Sequence, residues 1–241
     1  MSATTEQLQG NIRTSYLIKI FQVSFSIVLP TIVLFWQNHD LSLFQIMILQ
    51  SYFAIAIVVL EVPSGYFADI FGRRKSLIFS SIAICIAGTM YAFSTTFVQF
   101  LVAEMFFSLG IAFMSGADRA LLYDTLQNLK QEDSFKKIWG NIIFYMMLSI
   151  AFLNIMGGII ADANIRYPFY INIGLSFLLI PIMFSLHEPK RHQLIFRKGY
   201  LYELFAIFKK VIKDIKLRWL IVYAGLIFIL FQTSLWLYNP Y

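Results

Sequence analysis

Polar side chains punctuate one largely apolar stretch, FVQFLVAEMFFSLGIAFMSGADRALLYDTL, among them Glu104, Ser108, Ser115, Asp118 and Arg119. At 100° per residue the two carboxylates and two hydroxyls fall on one side of a helix, with Arg119 at its margin and Asp124 pointing elsewhere. A polar stripe of this kind can line an aqueous cavity. A carboxylate at membrane depth can also exchange a proton in step with the movement of a solute. Glu104 is the candidate for that coupling; tying two helices together, or lying near the outer headgroups, are its competing roles. For Asp118 and Arg119 a structural ion pair ranks ahead of substrate contact.

A neighbouring stretch carries Gln50 and, almost three turns on, Glu61 on the same face. Glu61 has two readings, cation coupling or a tie to Arg13 or Lys19. Lys19 itself reads as a snorkelling lysine ahead of a substrate ligand. Gln22, Ser26, Asn141, Asn154 and Asn172 are further cavity or helix-contact groups. No Gly-rich phosphate loop with its lysine occurs, and no catalytic triad, so neither direct ATP drive nor enzymatic catalysis has support. The single cysteine, Cys85, lies in an apolar run and reads as a packing residue. His39, His187 and His192 sit in or beside connections, and no metal site or other cofactor is expected.

These groups must be held by membrane-spanning helices. Of 241 residues 59% are hydrophobic and 13% charged, against roughly 45–50% and 25% in a soluble domain. Crossing the hydrocarbon core takes about 20 mostly apolar residues. Seven segments qualify or nearly do: 16–35, 41–65, 76–93, 97–122, 138–161, 168–186 and 219–237. Backbone amides in lipid must be paired within the protein, which makes these runs helices rather than isolated strands. Pro30, Pro63 and Pro181 read as mild kinks. Gly65 is expected to end the second span, and GIAFMSG and Gly157-Gly158 to supply close helix contacts. Trp36, Trp139, Trp219 and Trp236 are placed near helix ends, at the membrane interface.

With the N-terminus cytoplasmic, every Lys and Arg except Arg166 falls on the cytoplasmic side. The positive-inside rule therefore sets the orientation, and the net charge of +6 needs no nucleic-acid partner. Between 186 and 218, apolar residues such as Tyr200, Leu204, Phe208 and Ile212 alternate with Lys209, Lys210, Lys213 and Lys216 at helical spacing. This is the pattern of a connector lying on the anionic inner surface or packed on protein.

The connection GYFADIFGRRKS then carries more than topology demands. Arg73, Arg74 and Lys75 hold a loop inside, but an ordinary hairpin requires neither Asp69 nor the spacing of Gly65 and Gly72. The arrangement Gly65-x-x-x-Asp69-x-x-Gly72-Arg73-Arg74-Lys75, between spans two and three of a six-span bundle with a long connector, resembles the major facilitator superfamily of secondary transporters. Ile70 stands where that family usually has Arg or Lys. The resemblance implies a gating loop: Asp69 would pair with a second bundle near its eleventh span, and Arg73 with an acid at the cytoplasmic end of span four, for which Asp124 is the candidate. It also implies alternating access, with spans one, two, four and five along the cavity.

Gly65-Tyr-Phe-Ala68-Asp69-Ile-Phe-Gly-Arg73 can be laid over Gly158-Ile-Ile-Ala161-Asp162-Ala-Asn-Ile-Arg166, matching at four of nine positions. The first lies at the inner end of span two and the second at the outer end of span five, the reversal an inverted repeat predicts. The expected protein is thus an all-α polytopic membrane bundle with an inverted 3+3 repeat. Residues 1–187 form the bundle, 188–217 a cytoplasmic linker and 218–241 a seventh helix that starts an incomplete second bundle. It would sit in a cell membrane, bacterial inner membrane by preference. Membrane lipids, a small-molecule substrate and the missing C-terminal bundle are its partners. The competing reading is a non-transporting truncated fragment or scaffold.

Overall fold

A computed structural model describes residues 4–190 and scattered positions between 214 and 230. The chain divides into two units, Met1–Gln193 and Leu194–Tyr241. The expected amphipathic connector beyond residue 190 and the expected seventh span lie outside the described residues or only touch them at isolated positions.

Among the described residues of the first unit the regular structure is helical, and six helical segments are long and apolar enough to cross a membrane: Thr5–Gln37, Leu43–Phe71, Arg73–Phe93, Phe97–Asn128, Glu132–Ala163 and Tyr167–Phe184. Span one comprises α1 (Thr5–Gln22), two short 3-10 turns (Ser24–Ile27 and Leu29–Thr31) and α2 (Ile32–Gln37). Span two is α3 (Leu43–Phe71) and span three α4 (Arg73–Phe93). Span four comprises α5 (Phe97–Met114) and α6 (Ala117–Asn128), span five is α7 (Phe135–Ala163), and span six is α8 (Tyr167–Phe184).

Local chemistry sets the starts of these helices. Thr4 with Gln7, Ser42 with Gln45 and Thr96 with Gln99 each form a reciprocal capping box at the N-termini of α1, α3 and α5. Each box satisfies two backbone groups that the first helical turn leaves open.

Span three is the most enclosed helix, packed between α5 and α8. Its small residues permit close approach: Ser76 donates to the Phe113 carbonyl at 2.7 Å and Ser80 to the Gly110 carbonyl at 2.5 Å. A Cβ on Gly110 would meet the Ile84 side chain. Lipid offers no hydrophobic drive between helices, so such van der Waals and hydroxyl contacts hold them together.

Several boundaries differ from the sequence expectation. The second span does not end at Gly65, beside which nothing approaches within 4 Å. It runs through Pro63 and Gly65 to Phe71 and ends at Gly72, whose φ of +113° suits a residue without a side chain. Pro30 marks more than a mild kink, because the stretch around it is 3-10 rather than α. That narrower stretch packs on span five at Gly157, where a Cβ would run into the Ile27 carbonyl; Gly158 makes no such approach. In GIAFMSG only Gly110 serves close packing, since Gly116 takes a φ of +77° in the break between α5 and α6. Trp36 is no interface residue: it is wholly buried, its ring near that of Tyr91.

Candidate functional site

The connection between spans two and three carries several hydrogen bonds and an ion pair to other spans. Gly72 lets the chain reverse, so that Arg73 and Arg74 open α4. The Arg73 guanidinium forms an ion pair with Asp124 of α6 and donates at 2.5 Å to the Ala120 carbonyl one turn earlier. The expected Arg73–Asp124 contact is therefore present in the structure. Arg74 donates to the Phe184 carbonyl at the end of span six at 2.8 Å.

A second acid, not among the candidates expected from the sequence, completes this end. Just beyond span six, Glu188 accepts the backbone N–H groups of Arg73 at 2.9 Å and Arg74 at 2.7 Å. Its carboxylate thus occupies the positive end of α4, where free N–H groups and the helix dipole favour an anion. A Cβ at Gly72 would lie 3.2 Å from the same carboxylate, so Gly72 serves both the turn and the room Glu188 needs. Asn11 of α1 fixes the next element: its amide accepts from His187 N–H at 2.9 Å and donates to the His187 carbonyl at 2.7 Å and Thr125 at 3.2 Å. Asn128 donates to the Lys190 carbonyl at 2.8 Å. The sequence signal for Glu188 is an acid placed between the last apolar residues of span six and the basic run that follows.

Asp69 is half-buried one turn before Gly72 and makes no ion pair among the described residues. Gly65 and Lys75 take no part in the bonded cluster, and Lys75 is exposed.

At the opposite end of the bundle, Arg166 precedes α8. It donates to the Ala92 carbonyl of span three at 2.9 Å and to His39 Nε2 at 2.7 Å, and lies over the Phe35 ring. Because the guanidinium can only donate, His39 Nε2 accepts, and Nδ1–H donates to the Phe35 carbonyl at 2.7 Å.

The polar stripe expected along span four is not continuous. Its phase assumed one unbroken helix, and the turn at Ser115-Gly116 resets the direction of everything after it. Glu104 and Ser108 lie on α5, buried toward spans two and three. Ser115 is exposed in the break. On α6, Asp118 pairs with Lys19 of span one at 2.5 Å rather than with the Arg119 side chain. Lys19 is thus a paired group, not a snorkelling one.

Glu104 is 3% exposed, which removes the outer-headgroup reading. It accepts from the Tyr91 hydroxyl of span three and from Gln50 of span two at 3.4 Å, and pairs with no cation among the described residues. Ser108 donates at 2.8 Å to the Glu104 carbonyl. The rings of Phe25, Phe100, Phe169 and Trp36 surround Tyr91. A phenol aimed at an acid on the next helix has no local sequence signature.

The remaining candidates are dispersed. Glu61 is exposed, with no tie to Arg13 or Lys19 among the described residues. Asn141 is exposed on span five, and Gln22 ends α1 with its side-chain oxygen lacking a hydrogen-bond partner among the described residues. No cluster of three or more His, Cys, Asp or Glu among the described residues has the placement to hold a metal ion.

The family model of the Major Facilitator Superfamily matches residues 17–240, nearly the whole chain. The chain belongs to that superfamily. It is an integral membrane protein of transport function, not an enzyme, and its six described spans correspond to an N-terminal half-domain of the superfamily fold. No curated protein matches the chain.

Proposed function

We propose that the protein is a secondary active transporter that moves a small solute by alternating access. A six-helix bundle at 1–187 works against a second bundle that begins with a seventh helix at 218–241, the two joined by a cytoplasmic linker at 188–217. The observation that carries this reading is the cluster around Arg73. In it, one short connection ties span three to the ends of spans four and six by charged contacts that keep the first bundle together as one body at this end. Asp69, half-buried beside the cluster and without an ion pair among the described residues, is the group left to meet the second bundle.

An inverted 3+3 repeat within the bundle finds support in a reciprocity of contacts. Arg73, from the connection between spans two and three, grips the end of span four. Arg166, its counterpart between spans five and six, grips the opposite end of span one through Phe35 and His39. If spans four to six repeat spans one to three upside down, spans four and one are equivalent partners. The positive-inside pattern supports a cytoplasmic N-terminus and linker, and the membrane we propose is a cell membrane of bacterial inner-membrane type.

Glu104 is the proposed coupling group, since a buried carboxylate bonded only to neutral donors can change its proton occupancy without breaking an ion pair. The test is flux in proteoliposomes containing the full-length protein, across a solute panel, with an imposed proton gradient and separately by substrate counterflow. The expected result is gradient-driven flux that Glu104→Gln abolishes while counterflow persists. Gradient-driven flux unaltered in Glu104→Gln sinks the coupling role, and absence of flux for every solute favours the scaffold reading.

A further inference from the structure

The inner half of span four carries a cation for which no carboxylate partner is found among the described residues. Asp118 and Arg119 lie in the first turn of α6, immediately after the break at Ser115-Gly116. Both carboxylate oxygens of Asp118 are committed. Oδ1 accepts the backbone N–H of Arg119 at 2.6 Å, and Oδ2 meets Lys19 Nζ at 2.5 Å. The nearest other acid on the helix, Asp124, is held by Arg73.

The Arg119 guanidinium therefore has no carboxylate and no hydrogen-bond acceptor among the described residues. It stands instead over two aromatic rings of span five, 5.9 Å from the centroids of both Phe135 and Trp139, which are stacked on each other at 6.2 Å. Lys19 Nζ lies 5.3 Å from the same indole. Two cations thus share one ring while one carboxylate answers one of them, leaving a local charge of one positive unit. Arg119 is exposed, and sits about 14 Å along the helix axis from the end of α6.

A cation–π contact is worth about 0.5–1 kcal/mol at an exposed site. An exposed guanidinium with no carboxylate partner among the described residues, one turn from the expected inner end of span four, is open to an anion arriving from the aqueous side. Its planar fork matches a carboxylate, phosphate or sulfonate bidentately, and the stacked Phe135–Trp139 wall offers a flat apolar surface beside it.

We infer that Arg119 and the Phe135–Trp139 wall form a subsite for the anionic group of an organic anion, with the solute's planar apolar part laid against the rings. The inference rests on the transport reading and gives that reading a substrate class. The same oxyanion chemistry is present in a phospholipid headgroup, so the test separates the two sources.

Binding of benzoate, phenylphosphate and neutral benzamide is measured by titration calorimetry on the full-length protein in nanodiscs of pure phosphatidylcholine and in discs enriched in phosphatidylglycerol. The expected result is that at least one anion binds, that benzamide does not, and that Arg119→Gln weakens the anion at least tenfold. Arg119→Lys, which keeps the charge and loses the fork, falls between, and Trp139→Leu weakens the anion with the Arg119 charge intact. Equal affinity in the two lipids upholds the solute assignment; displacement of the anion by phosphatidylglycerol assigns the site to a headgroup and overturns it. Anion binding unchanged in Arg119→Gln, or no binding of either anion at millimolar concentration, also overturns it. An anion bound as expected by a protein that shows no flux leaves the subsite standing and removes the transport reading instead, so the two failures are distinguishable.

Discussion

Arg73, between spans two and three, and Arg166, between spans five and six, tie opposite ends of the bundle, yet they are satisfied by different chemistry. Each donates to a helix carbonyl, Ala120 for the first and Ala92 for the second. Arg73 then finds the carboxylate of Asp124, and Glu188 takes the N–H groups beside it. Arg166 finds only a neutral imidazole and the face of Phe35. Charge-assisted hydrogen bonds are roughly twice as strong as neutral ones. The end at the Gly72 turn is therefore the more firmly tied. The opposite end is held by weaker, more replaceable contacts.

The largest effect is expected from breaking the ionic end. Arg73→Gln leaves Asp124 without its cation, in a site where the two side chains are only 19% and 14% exposed. Removing one partner of a fully buried pair costs about 3–5 kcal/mol, and partial exposure brings this to about 2–3 kcal/mol. Thermal unfolding in detergent should show a clear loss for Arg73→Gln, smaller in Arg73→Gln with Asp124→Asn, because the double change leaves no stranded charge. If single and double variants melt alike, the pair adds nothing beyond its neighbours.

An intermediate effect belongs to Glu188. Replacing it by Ala uncaps two N–H groups of α4 and frees the first residues after span six from span three, a loss of about 1–2 kcal/mol by the usual worth of helix caps. Glu188→Gln keeps an acceptor oxygen and should retain part of the difference. Hydrogen exchange at the Arg73 and Arg74 amides reports directly on the cap. Exchange unchanged in Glu188→Ala would mean that the carboxylate is an onlooker, and the asymmetry between the ends would shrink to Asp124 alone.

How far the sequence foretold these sites depends on the distance over which the residues act. The six apolar runs were legible as long composition signals, and the pairing of Arg73 with Asp124 was legible through the resemblance of the Gly65–Lys75 connection to the superfamily. The second span was drawn six residues short at Gly65, since a glycine inside a helix and one that ends it differ only in context. The stripe along span four failed at one residue, Gly116, whose positive φ reset the phase. Glu188, Tyr91 and Asn11 stayed hidden for another reason. Their partners are 13 to 176 residues away in the chain, and no local pattern tells which distant backbone or carboxylate such a side chain will meet.

The smallest effect lies at the neutral end, and it sharpens the comparison most. His39 contributes one acceptor to Arg166, with the imidazole fixed by its bond to the Phe35 carbonyl. Substitution by Leu removes both bonds but leaves an apolar body among the Phe35 and Phe100 rings that now flank the imidazole. The expected cost is about 1 kcal/mol, the net worth of one or two hydrogen bonds. Gln at this position offers an amide oxygen to the same guanidinium and should cost less than Leu. If His39→Leu destabilises the protein as much as Arg73→Gln, the two ends are equally strong, and the carboxylates at the Gly72 end serve movement rather than closure. If it costs as little as expected, the ends differ in strength as well as in chemistry, and conformational exchange should begin where Arg166 is held.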